Sequence, residues 1–166
     1  EGMSMAKKIT LNLIKQEEKS LYVKYLLLAD ESKEVVNTYM NDGEMFAIQI
    51  EETIAGVVLF VFYPDNVVEL KNIALASSFR GNGVGKLVIN EAFEIYKKRG
   101  MNKMTVGTAN SSIGNLAFYQ KVGFRMAGIK KDFFKKYPEP IFEDGIRALD
   151  MVMFERDLTE PKENAE

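Results

Sequence analysis

The stretch FRGNGVGK, residues 79–86, decides how the rest of this chain is read. Gly81, Gly83 and Gly85 alternate between Arg80 and Lys86, directly ahead of LVINEAFEIYKK at 87–98. Glycine lets a backbone approach a ligand closely. The first N–H groups of the helix that follows have no partners within it, and its dipole favours an anion there. Arg80 and Lys86 add positive charge. The loop therefore suits a phosphate or a diphosphate. Taken alone, it is equally well a glycine-rich turn with two surface cations.

Two nucleotide motifs fail at this loop. A Walker A loop needs a glycine five residues before Gly85, where Arg80 stands, and Ser or Thr after the lysine, where Leu87 stands. A dinucleotide fingerprint G-x-G-x-x-G counted from Gly81 ends on Lys86, and counted from Gly83 it ends on Val88. What remains is R-x-x-G-x-G, formed by Arg80, Gly83 and Gly85.

Working outward, the flanking segments read as mixed α/β. Val84, Leu87, Val88, Ala92, Ile95 and Tyr96 form one face of a helix that ends at Gly100. VVELKNIALA (67–76) is the strand leading into the loop. Before it, EMFAIQIEETIAGVVLFVFYP reads as a hairpin broken near Glu51-Glu52 and closed by Pro64-Asp65-Asn66. KITLNLIK (8–15) alternates as a strand. Helical spacing runs from Glu17 to Ala29, and Asp30 is placed to cap a second short helix ending near Met40. Downstream come a strand KMTVGTA (103–109), a helix from Ser112 to Lys121 stopped by Gly123, and a strand Phe124–Ile129. An ordered loop with two prolines follows at 132–147, and then a last strand ALDMVMFERDL.

Composition narrows the chemistry. The length of 166 residues suits one domain, read as 3–157, with Glu1-Gly2 set outside it and 158–166 as a disordered tail. A net charge of -2 does not favour non-specific nucleic-acid binding. The longest apolar run, IAGVVLFVFY (54–63), falls short of the roughly 20 residues a bilayer requires. With no leader-like segment the expectation is a cytoplasmic protein. There is no cysteine, hence no disulfide or thiolate nucleophile. There is no histidine either, which removes the commonest general base and metal ligand. Carboxylates, tyrosine, lysine or water must carry any acid–base step, and no metal site is expected.

A second motif, NSSIGNLAFYQKVGF (110–124), joins the first. In this order the pair resembles the GCN5-related N-acetyltransferase (GNAT) family over roughly residues 8–157. DFF at 132–134 and EPIFEDGI at 139–146 add a likeness to bacillus-type members. The resemblance implies a mixed, mostly antiparallel sheet of six to seven strands, splayed at the fourth and fifth strands and flanked by helices. Acetyl-CoA would enter that gap as the acyl donor. The backbone of Ile73, Ala74 and Leu75 would pair with the pantetheine arm. The amides of Arg80, Gly81, Asn82, Gly83, Val84, Gly85 and Lys86 would cradle the pyrophosphate. Asn110 and Asn115 would contact the cofactor from the other side, although Asn115 stands where many members carry alanine.

The resemblance also makes Tyr119 the general acid for the departing thiolate. Read from its own spacing, Tyr119 is a residue packing a helix on a sheet. For a base, Glu69 alternates onto one face with Lys71, Ile73 and Leu75. It is either a cleft carboxylate acting through water or the ion-pair partner of Lys71. Asp132, Glu139, Glu143, Asp144 and Asp150 surround Phe133, Phe134, Tyr137 and Phe142. They read either as a place for a cationic amine or as a solvated face, with Lys130, Lys131, Lys135 and Lys136 interleaved. The resulting expectation is an N-acetyltransferase that moves the acetyl group to a primary amine by direct attack in a ternary complex. The acceptor would be a small molecule or a protein. The alternatives are an acyl-CoA-binding sensor without turnover and, more weakly, a nucleotide-binding protein. A homodimer is possible by the same likeness.

Overall fold

A computed structural model of the chain describes residues 8–159. The expectations for Glu1-Gly2, and for the tail after Thr159, lie outside the described residues. In chain order the strands are β1 (Ile9–Leu13), β2 (Glu44–Ile50), β3 (Thr53–Tyr63), β4 (Val67–Leu75), β5 (Lys103–Ala109), β6 (Arg125–Lys130), β7 (Phe142–Glu143), β8 (Ile146–Arg147) and β9 (Met151–Asp157). The α-helices are α1 (Val23–Ala29), α2 (Lys33–Tyr39), α3 (Val84–Lys98) and α4 (Ile113–Lys121). Seven strands form one sheet in the order β1-β2-β3-β4-β5-β9-β6, and β7 pairs with β8 apart from it. β4 and β5 run parallel; the pairs β1–β2, β2–β3, β5–β9 and β6–β9 are antiparallel. The mixed, mostly antiparallel sheet is the one the sequence led us to expect. Among the described residues no helix is long and apolar enough to cross a membrane.

The chain divides into two compact units where its length suggests a single domain. The first takes the described chain up to Val61 together with Asn72–Glu91. Its core gathers Ile14, Leu26, Val36, Tyr39, Met45, Ala47, Val57 and Leu59. A polar tie runs through it. Buried Asn72 donates from Nδ2 to the Leu26 carbonyl at 3.0 Å and to the Tyr39 hydroxyl at 2.9 Å, and that hydroxyl donates to Asp30 Oδ2. Gly56 is required here, because a Cβ at that position would collide with the carbonyl of Ala74 in the neighbouring strand.

The second unit takes Phe62–Lys71 and the described chain from Ala92. Rings interlock in it: Phe93 on Phe124 at 5.4 Å, Phe124 on Tyr119 at 5.8 Å, and Tyr119 on Phe154 at 5.9 Å. Edge-on and tilted ring pairs of this kind add stability beyond the area they bury.

Three local readings are corrected. The helix expected over 17–29 is a 3-10 stretch, Gln16–Tyr22, followed by α1. Lys19 lies buried in that stretch, its Nζ donating to the Gly43 carbonyl at 3.0 Å. Burial lowers its pKa, with Asp42 and Glu44 pulling the other way. Asp30 does not cap α2. Ser32 does, accepting from the Val35 N–H, while Asp30 Oδ1 accepts from the Ser32 N–H. Leu158, read both as the end of the last strand and as the first tail residue, is buried just past β9, and its N–H donates to the Asn102 carbonyl at 2.8 Å.

Candidate active site

The glycine loop is built by strand, turn and helix in succession. After β4 a short 3-10 turn, Ser77–Phe79, brings the chain to Arg80. Gly81 and Gly83 then take positive φ, 77° and 80°. Side chains avoid that left-handed region, and glycine does not. Open space surrounds both Cα atoms. Leu87 N–H donates to the Gly83 carbonyl, so Gly83 is the residue that caps α3. Having no side chain, it cannot turn back on the helix amides as Ser32 does on α2. The N–H groups of Gly81 through Lys86 have no described acceptor within the chain. Arg80 differs, since its N–H already donates to the Ser77 carbonyl at 3.2 Å. Its Nε donates to the Leu75 carbonyl at 2.9 Å, so one backbone group expected to meet the pantetheine arm is already engaged.

The β4–β5 ladder covers Val67↔Lys103 through Leu70↔Val106, while β4 continues through Ile73 and Ala74 to Leu75. The three expected pantetheine partners therefore lie past the end of that ladder.

Tyr119 owes its place to the end of α4. Phe124 N–H donates to the Tyr119 carbonyl at 2.9 Å, and Gly123 N–H to the Gln120 carbonyl at 3.1 Å. These nested bonds form a Schellman termination, with Gly123 at φ 115° in the position that needs glycine. The spacing Tyr-x-x-x-Gly-Phe is thus one structural device. It stops the helix and lays the Phe124 ring against the Tyr119 ring. Arg156 completes it, its Nη1 donating to the Gly123 carbonyl at 3.4 Å and its guanidinium standing 4.9 Å from the centre of the Phe93 ring.

The ring of Tyr119 is buried, and burial raises its pKa to about 12. Among the described residues, Asn72 Oδ1 alone is a fully buried side-chain polar atom without a hydrogen-bond partner. No described bond uses the Tyr119 hydroxyl.

Glu69 is buried, and its described partner is Tyr63, whose hydroxyl donates to Oε1 at 2.8 Å. The choice posed by the sequence, cleft carboxylate or partner of Lys71, left out this tyrosine. Asn115 Nδ2 donates to Thr108 Oγ1 at 3.2 Å.

Asn110 is used by its own chain. Its Oδ1 accepts from the N–H groups of Leu149 and Asp150, at 2.9 and 3.1 Å, and its Nδ2 donates to the Arg147 carbonyl at 3.2 Å. The expected cofactor contact would compete with all three. The neighbouring hydroxyls of Ser111 and Ser112 donate to Glu143 Oε1 at 3.0 and 2.6 Å. Sequence reasoning passed over both serines. Their partner lies some thirty residues away, beyond the reach of any local pattern.

Several members of the expected amine-receiving cluster meet residues of the same chain. Phe133, Phe134 and Tyr137 pack on one another. Lys136 already stands 3.9 Å from the centre of the Phe133 ring, where a cationic amine was expected. Lys135 pairs with Asp132 at 3.4 Å. The Asp132 N–H donates to Asp150 Oδ1.

Comparison with known proteins identifies the family. The model of the acetyltransferase (GNAT) family matches residues 12–124. The chain is 40% identical over 152 residues to an uncharacterised N-acetyltransferase, YvbK, of Bacillus subtilis, spanning 91% of this chain and 97% of that protein. A GNAT-family acetyltransferase from Elizabethkingia anophelis, solved with acetyl-CoA bound, is 36% identical with a TM-score of 0.84, covering 90% of this chain and 97% of that one. A Bacillus subtilis acetyltransferase solved in complex with CoA is 38% identical with a TM-score of 0.80, covering 92% and 99%. The chain belongs to the GNAT family and is an N-acetyltransferase of that class.

Proposed function

We propose that this chain binds acetyl-CoA at the start of α3 and transfers the acetyl group to a primary amine by direct attack. One observation carries the donor assignment. Gly83 leaves the first amides of α3 uncapped, next to two left-handed glycines with open space around them. Uncapped amides and the helix dipole together favour an anion such as a diphosphate. The two similar acetyltransferases solved with acetyl-CoA and with CoA support the same donor. Within the loop, Gly81 to Lys86 supply the amides, and Lys86 adds charge. Arg80 acts through its guanidinium, because its N–H is engaged.

In the reaction a neutral amine attacks the thioester carbonyl, a C–N bond forms, the C–S bond breaks to release CoA as a thiolate, and the attacking nitrogen gives up a proton to water as the amide forms. An alkylammonium, with a pKa of about 10.4, must first lose a proton. Glu69 is the carboxylate we assign as the base, acting through a water. Tyr119 acts on the departing sulfur. Burial raises its phenol to about 12, so it holds its proton. The Tyr119 hydroxyl therefore donates a hydrogen bond to the developing thiolate and keeps its proton. This narrows the general-acid role that the family resemblance implies. With no cysteine in the chain, no cysteine carries the acetyl group between donor and acceptor.

The test is thiol release from acetyl-CoA across a panel of small amines, amino acids, polyamines and peptide N-termini. At least one amine should accelerate release and appear as its N-acetyl product. Silence across the panel, with Tyr119→Phe behaving as the parent, would remove the transferase reading.

A further inference from the structure

Every polar side-chain atom of the Asn110-Ser111-Ser112 turn meets the segment 143–150. Asn110 holds the backbone at Arg147, Leu149 and Asp150. Both serine hydroxyls converge on one oxygen, Glu143 Oε1. Glu143 stands beside a two-residue turn, Asp144 (φ 53°) and Gly145 (φ 77°), that joins β7 to β8. Two consecutive left-handed residues fix the direction of such a hairpin. The carboxylate is thus delivered by a rigid turn to the start of α4.

That start has no side-chain cap of its own. Ser112 precedes α4, yet no side-chain cap bond forms there, because its hydroxyl is turned to Glu143. α4 is short, nine residues, and Tyr119 lies about 10 Å along it from Ser112. The far end is locked by the Schellman bonds and the Phe124 ring. The near end is locked through Glu143. A negative charge at a helix start is also favourable in itself.

We propose that Glu143 is a positioning residue of the transferase. By holding Ser111 and Ser112 it fixes the first turn of α4 and, through it, the place of the Tyr119 hydroxyl. The inference rests on the role proposed above for Tyr119. A donor aimed at a departing atom tolerates little misplacement, about 1 Å costing up to a hundredfold in rate.

The test compares kcat and KM for acetyl-CoA and the fastest amine of the panel. The proteins are the parent, Glu143→Ala, Glu143→Gln, Ser112→Ala, Tyr119→Phe and the double variant Tyr119→Phe/Glu143→Ala. Glu143→Ala should lower kcat about tenfold while leaving KM for acetyl-CoA unchanged. Glu143→Gln should recover most of the loss, because its amide oxygen still accepts from both hydroxyls. In the Tyr119→Phe background, Glu143→Ala should cost nothing further, since groups that act as one unit are not additive. Ser112→Ala removes one donor, and it carries the same comparison should Glu143→Ala fail to fold.

The proposal is overturned if Gln is as slow as Ala, which would mean the charge itself reacts. It is equally overturned by a full, additive loss in the Tyr119→Phe background, or by a Glu143→Ala enzyme as fast as the parent. An additive loss removes only Glu143. A Tyr119→Phe enzyme as fast as the parent, or no turnover of any amine, removes the reading of Tyr119 and this inference with it.

Discussion

Helices α3 and α4 both begin where the sequence led us to expect contact with the cofactor, and they begin differently. α3 is entered through Gly81 and Gly83, in left-handed backbone, and the N–H groups from Gly81 to Lys86 have no described acceptor. α4 is entered through Asn110, Ser111 and Ser112, whose side chains all engage residues 143–150 of the same chain. α2 is a third case, closed by Ser32 alone. A helix start is an anion site only where the chain has not supplied the acceptor itself. Glycine at the cap position withholds that acceptor. Serine and asparagine provide one, or recruit one.

The largest effect in this comparison is expected from closing α3. Gly83→Asp places a carboxylate where the diphosphate is proposed to bind. Losing charge-assisted hydrogen bonds worth about 3 kcal/mol weakens acetyl-CoA binding about a hundredfold. The left-handed backbone costs such a variant about 1–2 kcal/mol, which a domain stable by about 5–15 kcal/mol survives. Calorimetric titration beside thermal melting separates the two effects. A folded variant with parent affinity would make the loop an ordinary turn.

Tyr119, on the closed helix, should show a smaller effect, and on rate rather than affinity. Tyr119→Phe is expected to lower kcat about tenfold to a hundredfold, the value of one hydrogen bond to a charged group. Because burial raises the phenol to about 12, it stays protonated and able to donate well past its ordinary range. The ratio of parent to Phe rates should therefore hold constant from pH 7 to about 10.5. A ratio collapsing near pH 10 would show a tyrosine titrating at its ordinary value.

The smallest effect belongs to α2. Ser32→Ala should cost about 1 kcal/mol, or about 3 °C in melting temperature. Acetyl-CoA affinity should not move. A change in affinity would show that the capped helix start also takes part in binding.

The sheet was legible because strand alternation and helix periodicity are local, and the span KMTVGTA coincides with β5. The glycine loop was legible because the need for left-handed backbone shows as glycine. Tyr119 was legible only through its spacing to Gly123-Phe124, which the structure explains as one helix termination. What was not legible depends on distant partners. Asn110 was assigned to the cofactor, yet its acceptors and donors lie near residue 148, and nothing in NSSIG signals that. Glu143 looked like one acid among several. Tyr63, which bonds Glu69, sits at the end of an apolar run that reads only as core. Ser32 took the capping role from Asp30, because α2 starts at Lys33 and Ser32 is the residue just before it.

The contrast between the two helix starts can be read residue by residue. Amide 1H–15N spectra of the labelled protein, recorded as acetyl-CoA is added, report both at once. The expected result is large, saturable shifts at Gly83, Val84, Gly85 and Lys86, with the amides of Ser111, Ser112 and Gly114 left near their starting positions. Shifts centred on Ser111 to Gly114, with the α3 amides unmoved, would contradict the assignment of the donor site.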